Sequence, residues 1–261
     1  TSDVSSQVNG GQLQVNLGTL DVTRMIVIFP FEETLYREHD VPVTYVGHPL
    51  MDRFDPDMAE ERPEEAYKRH GLSPLYPVLG LFPGSRASEV RALLPVMLRS
   101  ARLLHRRFPR MQFLLGQGPG LNDDVYREML GKAEIPLVCT REGIGPGTAI
   151  CDLALVASGT ATLEMALLGI PMIVVYRVSR FTFLLARLLV RVPVIGMVNL
   201  VSEKAVVPEL IQGELTEENL YEACIPFFEH ANYYAQVKKD LAKVQGLLGA
   251  LGASARAARV V

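Results

Sequence analysis

Two short stretches of this chain bring together residue types suited to holding a nucleotide's diphosphate and sugar. In "LFPGSRASEV", residues 81–90, an apolar run is followed by Pro83, Gly84, Ser85, Arg86 and Glu89. In "DLALVASGTATLEMALLGIPMIVVYR", residues 152–177, a second apolar run leads into Ser158, Gly159 and Thr160, with Glu164 one turn further on. Where a helix begins, free backbone N–H groups and the positive end of the helix dipole attract anions, and glycine lets a phosphate come close to the backbone. Arg86 adds a fixed cation. Glu164 could accept hydrogen bonds from two neighbouring ribose hydroxyls, and Thr160 or Thr162 could bond a phosphate or cap the helix. The same residues also suit plain turns: Pro-Gly-Ser bends a chain, Arg86 can pair with Glu89, and an acid in a first turn is favoured by the dipole.

The flanking patterns say what must position these residues. Val78–Phe82 is continuously apolar, as a strand buried on both faces of a parallel sheet requires. From Ser88 the period changes to that of a helix. Val90, Leu93, Leu94, Met97, Ala101 and Leu104 recur at helical spacing, with Arg91, Arg99, Arg102, Arg106 and Arg107 on the wetter positions. Further strands are predicted over 25–29, 43–46, 111–115, 136–139, 153–156 and 172–176, and helices over 32–38, about 123–133 and about 160–168. From Phe181 onward the pattern is largely helical, and Thr216 is placed to cap Glu217–Glu229. Strands alternating with helices predict an α/β fold with a doubly wound parallel sheet, which binds ligands beyond the carboxyl ends of its strands. Both turns lie at such ends, so they point to one crevice. "GQGPG", Gly116 to Gly120, also follows a strand, but its third glycine arrives one residue early and after proline, so it reads as a loop and not as a dinucleotide fingerprint.

Composition narrows the class. With 261 residues, 49% hydrophobic content and a net charge of -3, the chain is globular and offers no whole-molecule case for binding nucleic acid. Three widely spaced cysteines, Cys139, Cys151 and Cys224, argue against a disulfide framework and for a reducing compartment. No glycine-rich run ends in Gly-Lys-Ser or Gly-Lys-Thr, which disfavours P-loop hydrolysis. The most apolar stretch, 181–197, is broken by Arg187, Arg191 and Pro193, so no spanning helix is expected. Residues 1–24 are polar and unlike the rest, with at most a hairpin around Asn9-Gly10.

Four segments in order, "VIFPFEETLY", "YVGHPLMD", "LFPGSRASEV" and "VASGTATLEMALLGIPMIVVYR", followed by "NLV" at 199–201, resemble the lipid-A-disaccharide synthase family, glycosyltransferase family 19. The similarity runs over about residues 25–250. It implies the donor-binding half of a GT-B glycosyltransferase. That family's reaction is an inverting, cofactor-free and metal-independent transfer of diacylglucosamine from UDP-2,3-diacylglucosamine to 2,3-diacylglucosamine 1-phosphate. Carried over by position, Gly84, Ser85 and Arg86 form the first diphosphate turn with Glu89 orienting it. Ser158, Gly159 and Thr160 form the second, Glu164 is the ribose ligand, and Tyr176, Arg177 and Asn199 stand near the donor cleft.

The resemblance also marks what departs from the family. Residues 25–54 match only the end of the acceptor domain, residues 55–261 match the donor domain, and the charged stretch 55–65 reads as a hinge. The acceptor's general base is therefore expected in a preceding domain. Of the five histidines only His48, in the "GHP" turn, is a candidate worth testing, and "LVSEKAVVPELI" departs enough to leave Glu203 and Glu209 doubtful as ligands. "RFTFLLARLLVRVPVIGMV", with Arg180, Arg187 and Arg191, suits either a membrane interface or a core helix. The family implies peripheral attachment to the cytoplasmic face of the inner membrane, and a homodimer in which the tail 231–261 could be exchanged. The rival expectations are a UDP-N-acetylglucosamine transferase or 2-epimerase, and a chain that binds UDP without catalysis.

Overall fold

The computed structural model describes residues 23–53, 63–131, 133–178 and 194–260, together with the backbone of 5–9 and 12–16. Strands β1 (Ser5–Asn9) and β2 (Gln12–Asn16) pair antiparallel, as the Asn9-Gly10 signal predicts. A small parallel unit follows, made of β3 (Met25–Val27), α1 (Pro30–Glu38), β4 (Val43–Tyr45) and the short α2 (Leu50–Arg53). Proline opens α1, where its missing N–H costs nothing, and Glu32 accepts the N–H groups of Ile28 and Phe29 at 3.1 and 2.9 Å.

After α3 (Pro63–His70) the main body alternates: β5 (Val78–Phe82), α4 (Ala87–Arg107), β6 (Gln112–Gly116), α5 (Asp124–Leu130), β7 (Leu137–Thr140), β8 (Leu153–Ala157), α6 (Ala161–Leu167) and β9 (Met172–Tyr176). Then come α7 (Met197–Ser202), β10 (Glu209–Ile211), α8 (Glu217–Glu229), α9 (Ala231–Leu247) and α10 (Ala253–Val260). Six strands form one wholly parallel sheet in the order β7-β6-β5-β8-β9-β10. Numbered along the chain this is 3-2-1-4-5-6, the Rossmann arrangement. Every residue of β5 and of β8 is buried, and the α4 positions picked out by spacing, Val90, Leu93, Leu94, Met97, Ala101 and Leu104, are all buried, together with Val96, Leu98 and Ser100. Helix α7 falls within the stretch expected to be helical, and strand β10 is the correction to that expectation for the last third. Three half-buried residues after Pro208 are too few to show a period of two.

The tail returns to the start of the chain. Helix α9 lies on α6, α7 and α8, where Gln245 donates to the carbonyls of Ala166 and Leu167 at 2.8 and 3.0 Å. Helix α10 then docks against α2. The Asp52 carboxylate caps it, accepting from the N–H groups of Gly252, Ala253 and Ser254 at 2.6, 2.9 and 2.8 Å. Arg256 donates to the carbonyl of Val46 at 2.9 Å, and the N–H of His48 to that of Leu248 at 2.9 Å. Phe29 and Leu50 belong to the same buried cluster as the large sheet. Hydrogen bonds from Ser254 above all hold the Asp52 carboxyl down to about 2, against an ordinary 3.8. A depressed carboxylate contributes stability that is complete above 3.8 and disappears as the pH falls through about 2. Protection factors at 252–254, taken relative to the intrinsic exchange rate at each pH, should therefore be high at neutral pH and fall over that acid window, and Asp52→Asn should show low protection at every pH. Equal protection in the variant would remove this role.

Among the described residues no helix is long and apolar enough to cross a membrane. Residues 180–193, with Arg180, Arg187 and Arg191, and most of the 55–65 hinge lie outside the described residues.

Candidate functional site

Strands β5 and β8 are neighbours, with Phe82 opposite Val156 in parallel register. The turns that leave them, 83–86 and 158–160, therefore emerge side by side, about 4.8 Å apart at their roots. They do so between the first and fourth strands of the 3-2-1-4-5-6 order, the point where chain direction across the sheet reverses and crevices open in such folds.

At the first corner Gly84 has φ +106°, and a Cβ there would lie 2.3 Å from Glu89 Oε2. Glycine is required both by the backbone and by the space. Glu89 stands in the first turn of α4 and folds back: its Oε2 accepts the N–H groups of Ser85 and Arg86 at 3.2 and 3.3 Å, and its Oε1 accepts from the Arg86 guanidinium at 3.0 Å. This is the N3 half of a capping box, since the arginine at the cap position has no oxygen to accept an N–H in return. Arg86 keeps 79% of its side chain exposed, and an exposed pair at this spacing is worth only ~0.3–0.5 kcal/mol. Two of the amides that sequence reasoning offers to a phosphate are thus held by a carboxylate of the protein itself.

A third wall was not anticipated. The loop after β6 presses on this corner: a Cβ on Gly118 would lie 2.9 Å from both the Gly84 carbonyl oxygen and the Ser85 Cα. Gly118 donates its N–H to the Tyr126 hydroxyl at 2.9 Å. The ring of Phe82 lies over Gly80 and Gly116, where a Cβ would stand 2.5 Å from ring carbons. The available signal is the glycine-rich run itself, in which Gly116 and Gly118 serve close packing and Gly120, at φ +76° with open space around it, serves the turn.

At the second corner Ser158 is spent on the wall, its N–H to the Val175 carbonyl at 3.0 Å and its hydroxyl to that of Ile195 at 3.2 Å. Gly159 has φ +154°, and the buried Thr162 donates to its carbonyl at 2.8 Å. Thr160 begins α6 with its side chain exposed and without a capping bond. Glu164 is half-buried one turn in. Burial pushes its carboxyl up from the ordinary value, while Arg53, at the end of α2, pulls it back.

Arg177 and Asn199 are engaged elsewhere. Arg177 donates to the carbonyls of Leu215 and Gln212, tying the end of β9 to the turn after β10. Asn199 is fully buried: Nδ2 donates to the Val207 carbonyl and to Glu209 Oε1 at 2.8 and 2.7 Å, and Oδ1 accepts from Val206 and Val207 at 2.8 and 3.0 Å. Glu209 also accepts the N–H groups of Ile195 and Gly196 at 2.8 and 2.9 Å, so it braces the loop before α7. Asn199 and Glu209 support the wall, and Asn199, fully buried, does not line the crevice. His48 accepts the Leu50 N–H on Nδ1 at 3.0 Å and lies 5.1 Å from the Phe29 ring, contacts that lock the "GHP" turn, and burial lowers its pKa while Glu32 raises it.

Among the described residues no cluster of three histidine, cysteine or carboxylate side chains is spaced for a metal. Asp55-Pro56-Asp57, which has Asp-x-Asp spacing, lies outside them. A groove of about 630 Å³ between α9 and residues 202–208 includes Val207, Pro208 and Leu247. Val207 and Pro208 precede β10, so that groove opens at the amino ends of the parallel strands, away from the two corners.

The sequence profile of the family described as Lipid-A-disaccharide synthetase matches residues 19–258. This chain belongs to the lipid-A-disaccharide synthase family. It is 40% identical over 240 residues to the lipid-A-disaccharide synthase of Geobacter metallireducens, covering 92% of this chain and 62% of that protein. To that of Syntrophus aciditrophicus it is 40% identical over 249 residues, covering 95% and 64%. The chain thus spans a little under two thirds of the length of these relatives. Among solved structures it is similar in fold to the UDP-GlcNAc 2-epimerase from Neisseria meningitidis bound to UDP-GlcNAc, with TM-score 0.59 and 14% identity, over 89% of this chain and 59% of that one. WaaG, a glycosyltransferase involved in lipopolysaccharide biosynthesis, aligns with TM-score 0.53 and 12% identity, over 90% and 62%. Both likenesses concern the Rossmann-like fold alone.

Proposed function

We propose that this chain is the donor-binding part of a glycosyltransferase of lipid A biosynthesis that holds UDP-2,3-diacylglucosamine at the β5/β8 crevice. The observation that carries the proposal is the emergence of both corners from adjoining strands at the switch point. The 6-hydroxyl of 2,3-diacylglucosamine 1-phosphate attacks the donor's anomeric carbon from the face opposite UDP. Its oxygen forms the new β-1,6 bond as the bond to the diphosphate breaks, and its proton passes to a base contributed by the acceptor half. UDP leaves with both bonding electrons. Arg86 and the amides of the first corner stabilise the charge that grows on the departing diphosphate, the largest single contribution in transfers of this type. That is work a metal ion does in other enzymes, and it makes the proposed reaction metal-independent.

In this reading residues 25–54 belong to the acceptor half and 55–261 to the donor half. Gly84, Ser85 and Arg86 seat the diphosphate, Gly159 and Thr160 close it from the second corner, and Glu164 takes the ribose hydroxyls. An acylated substrate places the enzyme at the cytoplasmic face of the inner membrane as a peripheral protein, with a homodimer as its assembly.

Calorimetric titration with UDP tests the site, and a donor panel tests the specificity. UDP should bind, and when the chain is joined to an acceptor half, turnover should require the acylated donor. Preference for unacylated UDP-N-acetylglucosamine would replace the proposal with a transferase or epimerase of that sugar. Glu164→Ala should weaken UDP about tenfold, as loss of hydrogen bonds to a charged acceptor implies, and leave pyrophosphate binding unchanged. An equal loss for pyrophosphate would take Glu164 off the ribose.

A further inference from the structure

Glu89 holds the first corner in a state that a ligand must undo. Its carboxylate already makes the three contacts a phosphate would seek there: the Ser85 N–H at 3.2 Å, the Arg86 N–H at 3.3 Å and the Arg86 guanidinium at 3.0 Å. The absence of a side chain on Gly84 leaves the space, since a Cβ there would overlap Oε2 at 2.3 Å. Gly118, held against the Gly84 carbonyl and the Ser85 Cα, fixes the turn from behind. These donors form one seat, and two anions cannot share it.

We propose that Glu89 is an internal competitor for the diphosphate seat, displaced when the nucleotide binds, so that donor and product affinity are set by an exchange of anions at Ser85 and Arg86. This rests on the proposed donor site and adds its regulation. The carboxylate keeps the turn shaped for an anion while the seat is otherwise unfilled. In exchange the ligand's apparent affinity falls by the fraction of molecules in which the seat is open. A ligand with more negative charge on its phosphates displaces the carboxylate more readily, which favours the diphosphate over uncharged parts of the nucleotide. Glu89 is therefore a positioning residue whose effect appears only for ligands that bring their own anion.

The test compares UDP with uridine in equilibrium titrations of the 261-residue chain and of Glu89→Gln. Glutamine keeps the size and an acceptor oxygen but has no charge for Arg86. Exchange predicts UDP binding about threefold to tenfold tighter in Glu89→Gln and uridine binding unchanged. Glu89→Ala, which vacates the seat entirely, should show the same split even if its thermal midpoint falls through loss of the cap. UDP binding that is equal or weaker in both variants, or a gain that is the same for UDP and uridine, would overturn the exchange. If the unaltered chain binds uridine and UDP alike, or neither, the diphosphate seat itself is wrong and the exchange falls with it.

Discussion

Arg86→Ala is expected to weaken UDP binding by roughly tenfold to a hundredfold while leaving the thermal midpoint almost unchanged. The guanidinium stands at the first corner, the proposed diphosphate seat, with 79% of its side chain exposed. Charge-assisted hydrogen bonds of this kind are worth about 1.5–3 kcal/mol, which sets the range in affinity. Its pairing with Glu89 is exposed and spans a single helical turn, so the fold loses little with it. Arg86→Lys should recover only part of the affinity, because an ammonium lacks the planar fork that grips two phosphate oxygens. In a chain joined to its acceptor half, kcat should fall further than KM rises, since the charge on the leaving diphosphate grows toward the transition state. Calorimetry showing UDP affinity within twofold of the unaltered chain would remove Arg86 from the seat, and with it the reason for placing the diphosphate on this corner.

The opposite pattern is expected at Asn199. Asn199→Ala should cost about 2–4 kcal/mol of stability, a fall of roughly 5–15 °C in midpoint, with a smaller change in UDP affinity of the folded protein than Arg86→Ala. The side chain is fully buried and its amide bonds two backbone N–H groups, one carbonyl and the Glu209 carboxylate. Truncation leaves the buried Val207 N–H without its acceptor, while the Val206 N–H keeps the Lys204 carbonyl at 2.9 Å, and a desolvated polar group is expensive. Asn199→Asp is the sharper variant. It keeps an acceptor for the two amides but sets a carboxylate against Glu209 where the amide nitrogen now donates at 2.7 Å. It should destabilise at neutral pH at least as much as alanine and recover on acidification. Calorimetric scans would reject the structural role if the midpoint held and UDP binding collapsed instead.

The two residues show where sequence patterns carry information. Arg86 lies in a segment whose strand and helix are both visible as local periods, so the turn between them, and the exposure of its cation, followed from ten residues. Only a family motif groups Asn199 with the donor site. Its neighbours Val206, Val207 and Glu209 close on it through a short loop that has no period, and a motif does not say whether a side chain faces a crevice or the wall behind it. The glycines of "GQGPG" make the same point. Their spacing excluded a dinucleotide fingerprint, but the contact of Gly118 with the backbone of Gly84 and Ser85 joins two loops that follow different strands.

By itself the sequence determined the strands Val78–Phe82 and Met172–Tyr176, the inward face of α4, the Thr216 cap, whose side chain accepts from the Asn219 N–H at 3.1 Å, and the existence of two polar corners at strand ends. Each depends on residues within a few positions of one another, where side-chain period and capping chemistry act. Only the tertiary structure decided that β5 and β8 adjoin, that β10 completes the sheet, that α10 returns to Asp52, and that Glu89 fills the corner it helps to build. Val78 and Asp152, 74 positions apart, meet N–H to carboxylate at 2.8 Å. Pairings over such distances are chosen by the burial of whole faces against one another, and that choice leaves no period in the chain for local reasoning to find.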